Sequence, residues 1–598
     1  MKAWIWGMNN FFHRDDFSKD EISKKILALI FFGAIFFCFA GEASAATYYL
    51  REDGAAINKS GAISCNATST SMSVAVHNNE AFVPGDVIVI CPDGGSITSV
   101  IIPPSSGSSI DGYITYDGDA DSDGVKVEVQ GAIGKYSKVD YLKFQNIHFT
   151  TSSKAIYLVE GSSNIWVTEC FFDTLGQQGI FSSGINNTAY SQDWLIENST
   201  FTNIGNYSDS AAADINAGGY SRRWTIRNTV HTGNGIAGVD GINFSNINVS
   251  GGDGAGHLIE NNSFTNYYEN GIDLKGTRES SAGEGGTVIR GCTFIGGSGS
   301  EGQIHIQFNA KGVLIDRCSF SDTNNNAISL VSHSTGLDAV GYVTVKNSVF
   351  DNVRNVIFTD RGLVNEEALG HNVLYNNTML DSGQSSSGYS IDIGSDNYIV
   401  RNNVFYNISQ NSFWDLPIRF ELSDYYYSAQ LDYNIYHKLD ESNAKLFNIN
   451  GVIYDIAQMR TDGGQEINGM NIDPVLQSDG KPEQNSPAID AGLTIADISD
   501  DFLGVSRPQG AAYDIGAFEY VNAEDLTETC SDNIQNQDET GVDCGGVCDI
   551  CDSRYSISNF ISLLANWLQI GNETSDVNFD GIVNTRDLGI MMSNWEER

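Results

Sequence analysis

An aspartate and a lysine, Asp273 and Lys275, stand two residues apart in the segment NYYENGIDLKGTRES (266–280). Similar segments lie on either side of it, GINFS from Gly241 and QIHIQ from Gln303. If these segments are paired β-strands, Asp273 and His305 share one outward row and Lys275 lies in the next. A lysine with a lowered pKa can abstract a proton next to a carboxylate, and nearby donors stabilise the resulting enolate. We therefore predict a catalytic site at Lys275, Asp273 and His305.

The same alignment brings further polar residues beside these three. We predict that four of them contact a substrate: Asn243, Gln307, Asp360 and Arg361. The corresponding reaction is β-elimination on a glycan that contains uronate. Two alternatives remain open. Asp273 and Lys275 could form an ordinary solvated ion pair, or Asp273 with Asp240 or Asp360 could supply the two carboxylates that glycoside hydrolysis needs.

These segments belong to an internal repeat of about thirty residues. Its copies include WLIENSTFTNI from Trp194, WTIRNTVHTGN from Trp224, HLIENNSFTNY from His257 and YIVRNNVFYNI from Tyr398. Apolar residues alternate with polar ones in each copy, which indicates strands. A unit this short cannot bury its own apolar face, whereas parallel stacking of many units can. We therefore predict an all-β parallel β-helix, with Ile242, Ile272, Ile304 and Ile328 stacked inside.

Two further ladders follow from the repeat. Asparagines recur at one turn of the repeat, where their amides could hydrogen-bond from coil to coil: Asn198, Asn228, Asn261, Asn347, Asn377 and Asn402. Cysteines recur at a neighbouring position that should point inward: Cys170, Cys292 and Cys318. We predict structural roles for both sets.

At the level of these repeats, the chain resembles the right-handed parallel β-helix proteins, a superfamily that includes pectate lyases. The resemblance covers about residues 47–520 and includes the opening PGDVIVICPDGGSITSVIIPP from Pro84. The motifs SPAIDAG (486–492) and YDIGAFEY (513–520) resemble the closing module of secreted bacterial β-helix proteins. This likeness implies that residues 473–520, the closing segment, form a final coil and cap the open end of the solenoid.

The segment GIDLK also resembles the lysine-bearing strand of family 9 polysaccharide lyases. That resemblance implies Lys275 as the base, with Asp240 and Asp273 as ligands of a calcium ion. The chain departs from the family pattern because no compact cluster of four aspartates is visible.

The composition narrows the choice of partners. The net charge of −42 repels nucleic acid and anionic membranes, so we expect neither as a partner. An acidic polysaccharide would need a divalent cation to bridge it to such a surface. We expect a monomeric β-helix.

The first 45 residues have the features of an export signal. Lys24 and Lys25 precede the apolar run ILALIFFGAIFFCFAG (26–41), and EASA follows it. We predict a signal peptide over residues 1–45 and a secreted, extracellular protein. An uncleaved anchor at the cell surface is the alternative.

Cysteines mark a separate unit at residues 521–552. Four of them lie within a short, Asp- and Gly-rich stretch: Cys530, Cys544, Cys548 and Cys551. In an exported chain this spacing favours two disulfides over a zinc site, and the sequence does not select among the three pairings. Cys65 and Cys91 could form another disulfide.

The last unit, residues 553–598, contains the twelve-residue loop DVNFDGIVNTRD. It has oxygen ligands and a glycine at the positions of a calcium loop, with Asp576, Asn578, Asp580 and Asp587 as side-chain ligands and Ile582 as the carbonyl ligand. Two apolar helical faces accompany it, which predicts a small α-helical module. The unit resembles a dockerin with one intact and one degenerate loop, and this resemblance implies a cohesin-type scaffold as partner. A calcium-stabilised domain without such a partner is the alternative.

Two classes of function remain open. The β-helix could be a secreted enzyme that degrades a polysaccharide, with calcium as cofactor and the tail as its attachment. It could also be a non-catalytic surface protein that binds glycan along its flat faces.

Overall fold

The computed structural model describes residues 45–522, apart from residues 93–94, 120–124, 187, 206–211, 246–253, 278–284, 298, 300, 309, 325, 332–339, 360–370, 383–388, 408–415 and 439–444. The predicted signal peptide, the Cys-rich segment and the calcium loop of the tail lie outside the described residues, as do Asp360 and Arg361. One compact unit of the chain ends at Glu519, and the account below concerns that unit.

Successive copies of the repeat stack as a right-handed parallel β-solenoid of about ten turns. Each coil contributes one strand to each of three long sheets, here called sheets A, B and C, and nearly all neighbouring strands are parallel. This confirms the predicted fold of the repeat region. The described helices are short, at Lys59–Gly61, Thr68–Thr70, Val74–His77, Ser423–Ser428 and Ile456–Gly463. Within the described ranges, none is long and apolar enough to cross a membrane.

Sheet A has fifteen strands. In spatial order they are Met72–Ser73, Thr47–Arg51, Val87–Ile90, Ile114–Asp117, Leu142–Gln145, Ile165–Thr168, Trp194–Glu197, Thr225–Arg227, Leu258–Glu260, Val288–Arg290, Lys311–Asp316, Gly341–Lys346, Asn372–Tyr375, Tyr398–Arg401 and Gln430–Asp432.

Sheet B has thirteen strands. They are Val127–Val129, Ile147–Thr150, Phe171–Asp173, Thr200–Thr202, Val230–Thr232, Ser263–Thr265, Thr293–Ile295, Ser319–Ser321, Val349–Asp351, Thr378–Leu380, Val404–Tyr406, Ile435–His437 and Met470–Asn471.

Sheet C also has thirteen strands, and the last one is antiparallel. They are Ile133–Lys135, Lys154–Leu158, Gln178–Ser183, Ala212–Gly218, Val239–Ser245, Ile272–Lys275, Ile304–Gln307, Asn326–Val331, Asn355–Thr359, Ile391–Ile393, Ile418–Phe420, Phe447–Ile449 and Val452–Tyr454. A small two-stranded sheet pairs Ser191–Gln192 with Ser221–Arg222.

The core of the solenoid consists of rows of identical or similar side chains, one from each coil. Ile242, Ile272, Ile304 and Ile328 are direct neighbours in sheet C and are fully buried, as predicted. Sheet B contributes a column of stacked rings with centroids 4.5–5.0 Å apart, formed by Phe149, Phe172, Phe201, His231, Phe264, Phe294, Phe320 and Phe350. Stacking of equivalent residues therefore fixes the register of sheets B and C.

The turn between sheets A and B has a buried ladder of hydrogen bonds next to the predicted asparagine corner. The backbone N–H of Ser348 donates to Asn377 Oδ1 at 3.0 Å, that of Asn377 to Asn403 Oδ1 at 3.0 Å, and that of Asn403 to Asn434 Oδ1 at 2.9 Å. The ladder ends at Glu466, whose Oε1 accepts from Asn434 Nδ2 at 2.8 Å.

The assignment of Asn377 to the corner series was wrong by one residue. Each corner asparagine stands three residues before the aromatic position of the repeat, and the assignment of Asn377 requires Leu380 at that position. In the structure Met379 pairs with Phe350 instead, so the corner residue of this coil is Asn376. The corner asparagines have left-handed backbone conformations, which asparagine tolerates better than most residues: Asn198, Asn228, Asn261, Asn347, Asn376 and Asn402. Cys170, Cys292 and Cys318 occupy the inward position and are buried, as predicted.

The closing segment does not add a final coil, contrary to the expectation. Among the described residues, no strand of the three sheets follows Met470–Asn471. The segment packs against the asparagine corner instead: Asn402 Nδ2 donates to the Leu493 carbonyl at 2.7 Å, and the Ala517 N–H donates to Thr378 Oγ1 at 2.9 Å. Its corner contacts satisfy polar groups that the turn would otherwise leave to solvent. At the other end of the unit, Cys65 and Cys91 form a disulfide bond, as the sequence allowed.

Candidate active site

Sheet C arranges the predicted site residues in two parallel rows. Asn243, Asp273 and His305 are direct neighbours in one row. Lys275 and Gln307 are neighbours in the next row, two residues further along each strand. Because the isoleucines between them are fixed in the core, this register cannot shift by one residue without turning the core outward. The structure therefore brings these five predicted residues together.

Lys275 and Asp273 form the central ion pair of the site. Lys275 Nζ lies 2.5 Å from Asp273 Oδ2, and the side chains are 19% and 2% exposed. The other carboxylate oxygen of Asp273 accepts a hydrogen bond from Gln307 Nε2 at 2.9 Å. With only 2% of Asp273 exposed, the pair is not the solvated surface ion pair of the alternative interpretation.

His305 is held by a carboxylate that the sequence alignment did not identify. Its Nδ1 lies 2.9 Å from Glu301 Oε2. Glu301 Oε2 also accepts from Asn270 Nδ2 at 3.2 Å. Because Nδ1 donates to Glu301, Nε2 is the ring nitrogen that can exchange a proton with a ligand. That atom is buried and has no protein partner among the described residues.

Asp240 accepts hydrogen bonds from two asparagines of the site. Its Oδ1 accepts from Asn270 Nδ2 at 2.9 Å, and its Oδ2 accepts from Asn243 Nδ2 at 2.7 Å. The amide oxygens of Asn243 and Asn270 are buried and have no hydrogen-bond donor within the described part of the chain. Buried polar atoms of this kind are rare and call for a ligand, water or ion.

The acidic residues of the site control the charge on the lysine. Burial lowers the pKa of Lys275, but the carboxylates of Asp273 and Asp240 outweigh it and raise the pKa above its usual value. The protonated form is therefore favoured while these carboxylates are negative. The lowered pKa that a lysine base requires is absent unless another cation balances them.

Burial and neighbouring charges shift the pKa values of three carboxylates of the site. Burial, and next the charge of Asp273, raises the pKa of Asp240 well above its usual value. Burial, with the charges of Glu301 and Asp273, also raises the pKa of Glu269. The hydrogen bond from His305 instead lowers the pKa of Glu301 to about 2. The site thus holds more acidic groups than its two basic groups neutralise, which favours the binding of a cation.

Its oxygen donors fit calcium in type. Calcium prefers carboxylate and amide oxygens, and the site offers Asp240 and Asp273 together with the unpartnered oxygens of Asn243 and Asn270. In the described ranges, however, no three His, Cys, Asp or Glu side chains converge closely enough to hold a metal. The protein donors alone therefore form an incomplete coordination shell.

Sequence reasoning missed Glu301 and Asn270. Asn270 lies in the turn just before the GIDLK strand, and Glu301 lies four residues before His305. Asn270 stands two residues before Ile272, as Asp240 stands before Ile242, so the repeat carried a signal for it that was not used. Glu301 lies in a connection before its strand, and the periodicity gave no signal for it. Asp360 and Arg361 follow the strand Asn355–Thr359 and lie outside the described residues.

No family model matches the chain. No curated protein matches it either. Several solved structures are similar over much of its length. A pectate lyase, Pel9A, is 16% identical, with 80% of this chain and 97% of that chain covered and a TM-score of 0.34. An alginate lyase from Paenibacillus sp. str. FPU-7 is 14% identical, with 59% and 97% covered and a TM-score of 0.33.

A third similar structure is the PL6 family alginate lyase AlyGC, at 14% identity, with 70% of this chain and 58% of that chain covered and a TM-score of 0.37. The catalytic domain of a GH87 α-1,3-glucanase is also similar, at 16% identity, with 52% and 57% covered and a TM-score of 0.34. The neighbours therefore include both lyases and a glycosidase, and at these identities they assign no activity to this chain.

Proposed function

We propose that this protein is a secreted polysaccharide lyase that cleaves a uronate-containing glycan by β-elimination, with the site on sheet C as its active site. One observation carries the proposal: on one rigid face of sheet C, the buried carboxylate of Asp273 holds Lys275, and the partly exposed carboxylate of Glu301 holds His305. Gln307 lies between the two pairs, because its Nε2 donates to Asp273 and lies 3.3 Å from His305 Nδ1. Rigid positioning of a base beside donors is what proton abstraction from a weakly acidic carbon requires.

The reaction assigns a separate role to each basic group. Neutral Lys275 takes the proton from the carbon next to the uronate carboxylate. The electron pair of that C–H bond forms a carbon–carbon double bond, and the bond from the adjacent carbon to the glycosidic oxygen breaks. Protonated His305 supplies the proton to the leaving oxygen. Gln307 holds Asp273 in place through its 2.9 Å hydrogen bond, and Asp273 in turn orients Lys275.

Calcium completes this site in the proposal. When bound, the ion would neutralise the uronate carboxylate and stabilise negative charge on the reacting sugar. Asp240, Asp273, Asn243 and Asn270 would hold it together with the carboxylate of the substrate, because the protein donors alone are too few. Its charge would also lower the pKa of Lys275, which the two carboxylates otherwise raise.

The proposal extends to the parts of the chain outside the described residues. Residues 1–45 direct export, and the dockerin-like tail binds one calcium ion and attaches the enzyme to a cohesin-type scaffold or to the cell surface. Cys530, Cys544, Cys548 and Cys551 form two disulfides in the segment between. The β-helix acts as a monomer, without nucleic acid as a partner.

The test is incubation of the full chain with a panel of polyuronates and neutral glycans, with and without calcium. Unsaturated products that require calcium would support the lyase. New reducing ends without unsaturation would identify a glycoside hydrolase, a candidate favoured by the raised pKa of Asp240, which suits a general acid. Binding without any product would identify a glycan-binding protein instead.

A further inference from the structure

The outward row of sheet C that contains Asp273 continues toward the N-terminal coils. Its successive members are Asn243, Asn216, Phe181 and Tyr157, each directly paired with the next. The row is therefore polar at the candidate active site and becomes aromatic three coils away. At about 4.8 Å per strand, Phe181 is ~14 Å and Tyr157 ~19 Å from Asp273 along the sheet.

The two aromatic residues belong to a larger surface, here called the aromatic platform and defined as Tyr136, Tyr157, Phe181 and Lys154. The rings of Tyr136 and Tyr157 have centroids 5.1 Å apart, and Tyr136 is 76% exposed. Lys154 Nζ lies 4.1 Å from the ring centroid of Phe181. The platform thus combines accessible aromatic surface with a positive charge.

Gly134 allows the Tyr157 ring to lie flat on the sheet. This glycine is the neighbour of Tyr157 in the preceding coil. A Cβ atom at Gly134 would lie 2.2 Å from Cε1 of the tyrosine ring. Since any larger residue would push the ring away, the local sequence is adapted to a flat ring in this row.

This combination fits an acidic sugar. Aromatic rings present an apolar face that packs against the C–H face of a pyranose, and an adjacent ammonium pairs with a carboxylate. On a chain with a net charge of −42, a lysine over an aromatic ring provides local complementarity to an anion that the rest of the surface repels.

We propose that the aromatic platform binds the part of an acidic glycan that extends beyond the reacting sugar, so that the chain of the substrate runs along the solenoid axis from the platform to Lys275. The inference rests on the proposed function for the identity of the glycan. It adds a distal subsite and makes binding depend on the length of the glycan chain.

The length dependence can be measured by calorimetry with the full chain that carries Lys275→Ala, so that turnover does not consume the ligand. Oligouronates of increasing length, with calcium present, should gain affinity until they span the ~19 Å to Tyr157. In this background, Phe181→Ala and Tyr157→Ala should weaken binding of long oligouronates about tenfold, or ~1.4 kcal/mol, and leave short ones unchanged. Tyr427→Ala, which removes a 72% exposed tyrosine elsewhere, is the matched control.

The charge is tested separately by Lys154→Met, with Lys481→Met as the control because Lys481 Nζ also lies over an aromatic ring, 5.9 Å from the Phe518 centroid. Only Lys154→Met should weaken binding of long oligouronates.

Unchanged affinity in Phe181→Ala and Tyr157→Ala, or equal binding of neutral glycans, would overturn the inference. If the wild-type chain cleaves no uronate but these variants still lose binding, the lyase fails and the platform stands. If the wild-type chain cleaves uronates and the variants bind normally, the lyase stands and the platform fails.

Discussion

His231 Nδ1 lies 2.8 Å from Asp214 Oδ2 inside the solenoid, and both side chains are fully buried. The neighbouring strands of sheet C have Gly179 and Gly241 at the position of Asp214, and His231 replaces phenylalanine in the ring column. The Tyr267 hydroxyl also donates a hydrogen bond to Asp214 Oδ2. In this one coil, a buried Asp–His pair therefore stands where the adjacent coils have glycine and phenylalanine.

Replacing the pair one residue at a time should destabilise the protein more than replacing both. His231→Phe alone leaves the buried Asp214 without its imidazole partner, and we expect a loss of about 3–5 kcal/mol in the free energy of unfolding. The double variant Asp214→Gly with His231→Phe restores the pattern of the adjacent coils, so its cost should be limited to the lost acceptor of the Tyr267 hydroxyl, about 1–3 kcal/mol. Urea unfolding of the three variants, followed by circular dichroism, measures this coupling.

Simple addition of the two single effects in the double variant would show that the pair is not coupled. If the double variant is stable but inactive on a glycan that the wild type cleaves, the pair has a role in positioning the site as well.

The role of Lys275 is tested by Lys275→Arg, which keeps the positive charge beside Asp273 but cannot become neutral at working pH. We expect turnover to fall ~10²–10⁴-fold, the usual contribution of a general base, with thermal stability nearly unchanged. A matched control is Lys445→Arg, since Lys445 Nζ also pairs with an aspartate, Asp455, at 3.0 Å. Retention of activity in Lys275→Arg would assign the base to another group, with His305 the next candidate.

Glu466, at the end of the buried ladder, should make the fold less stable at neutral than at mildly acidic pH. Burial raises its pKa from 4.5 to about 7, although Tyr436 and Asn434 donate hydrogen bonds to it. The unfolded chain therefore loses this proton first as the pH rises from about 4.5. The folded state becomes less stable by up to ~3 kcal/mol across the window from pH 4.5 to 7.

Glu466→Gln keeps the acceptor oxygen for Asn434 and Tyr436 and removes the charge. The difference in melting temperature between this variant and the wild type should be near zero at pH 4.5 and grow in favour of the variant up to pH 7. A difference that stays constant with pH would refute the proposed titration. Glu483→Gln, at an exposed carboxylate of the closing segment, controls for net charge.

The fold was predictable because every coil of a solenoid repeats the same strands with the same apolar positions. A single isoleucine in a short strand is weak evidence, but the aligned Ile242, Ile272 and Ile304 fix the phase of their strands and with it the outward positions of Asp273 and Lys275. The error at Asn377 arose where the chain has Met379 in place of the aromatic residue of the repeat. The closing segment was misjudged because motif likeness does not say which face of the solenoid it covers.

The site was predictable only where it follows the repeat. Asp240, Asn270 and His305 stand at positions that recur in sheet C, whereas Glu301 lies in a connection outside the aligned strands. The raised pKa of Lys275 could not be predicted from the sequence either. The direction of the pKa shift depends on the distances to Asp273 and Asp240, which periodicity does not give.

Calcium binding should reveal two different sites in the full chain. The tail loop DVNFDGIVNTRD has a full set of oxygen ligands, so we expect it to bind one ion without any glycan. The site on sheet C offers calcium only the carboxylates of Asp240 and Asp273 and two amide oxygens, so it should bind an ion only when a uronate supplies further ligands. Calorimetric titration of the Lys275→Ala chain should give one calcium per chain alone and two in the presence of a saturating oligouronate.

Asp580→Ala should remove the glycan-independent ion and leave the glycan-dependent ion. Asp240→Asn should remove the glycan-dependent ion and leave the other. Two ions bound without glycan would show that the protein donors on sheet C suffice, and a single ion under both conditions, lost in Asp580→Ala, would remove calcium from the proposed reaction.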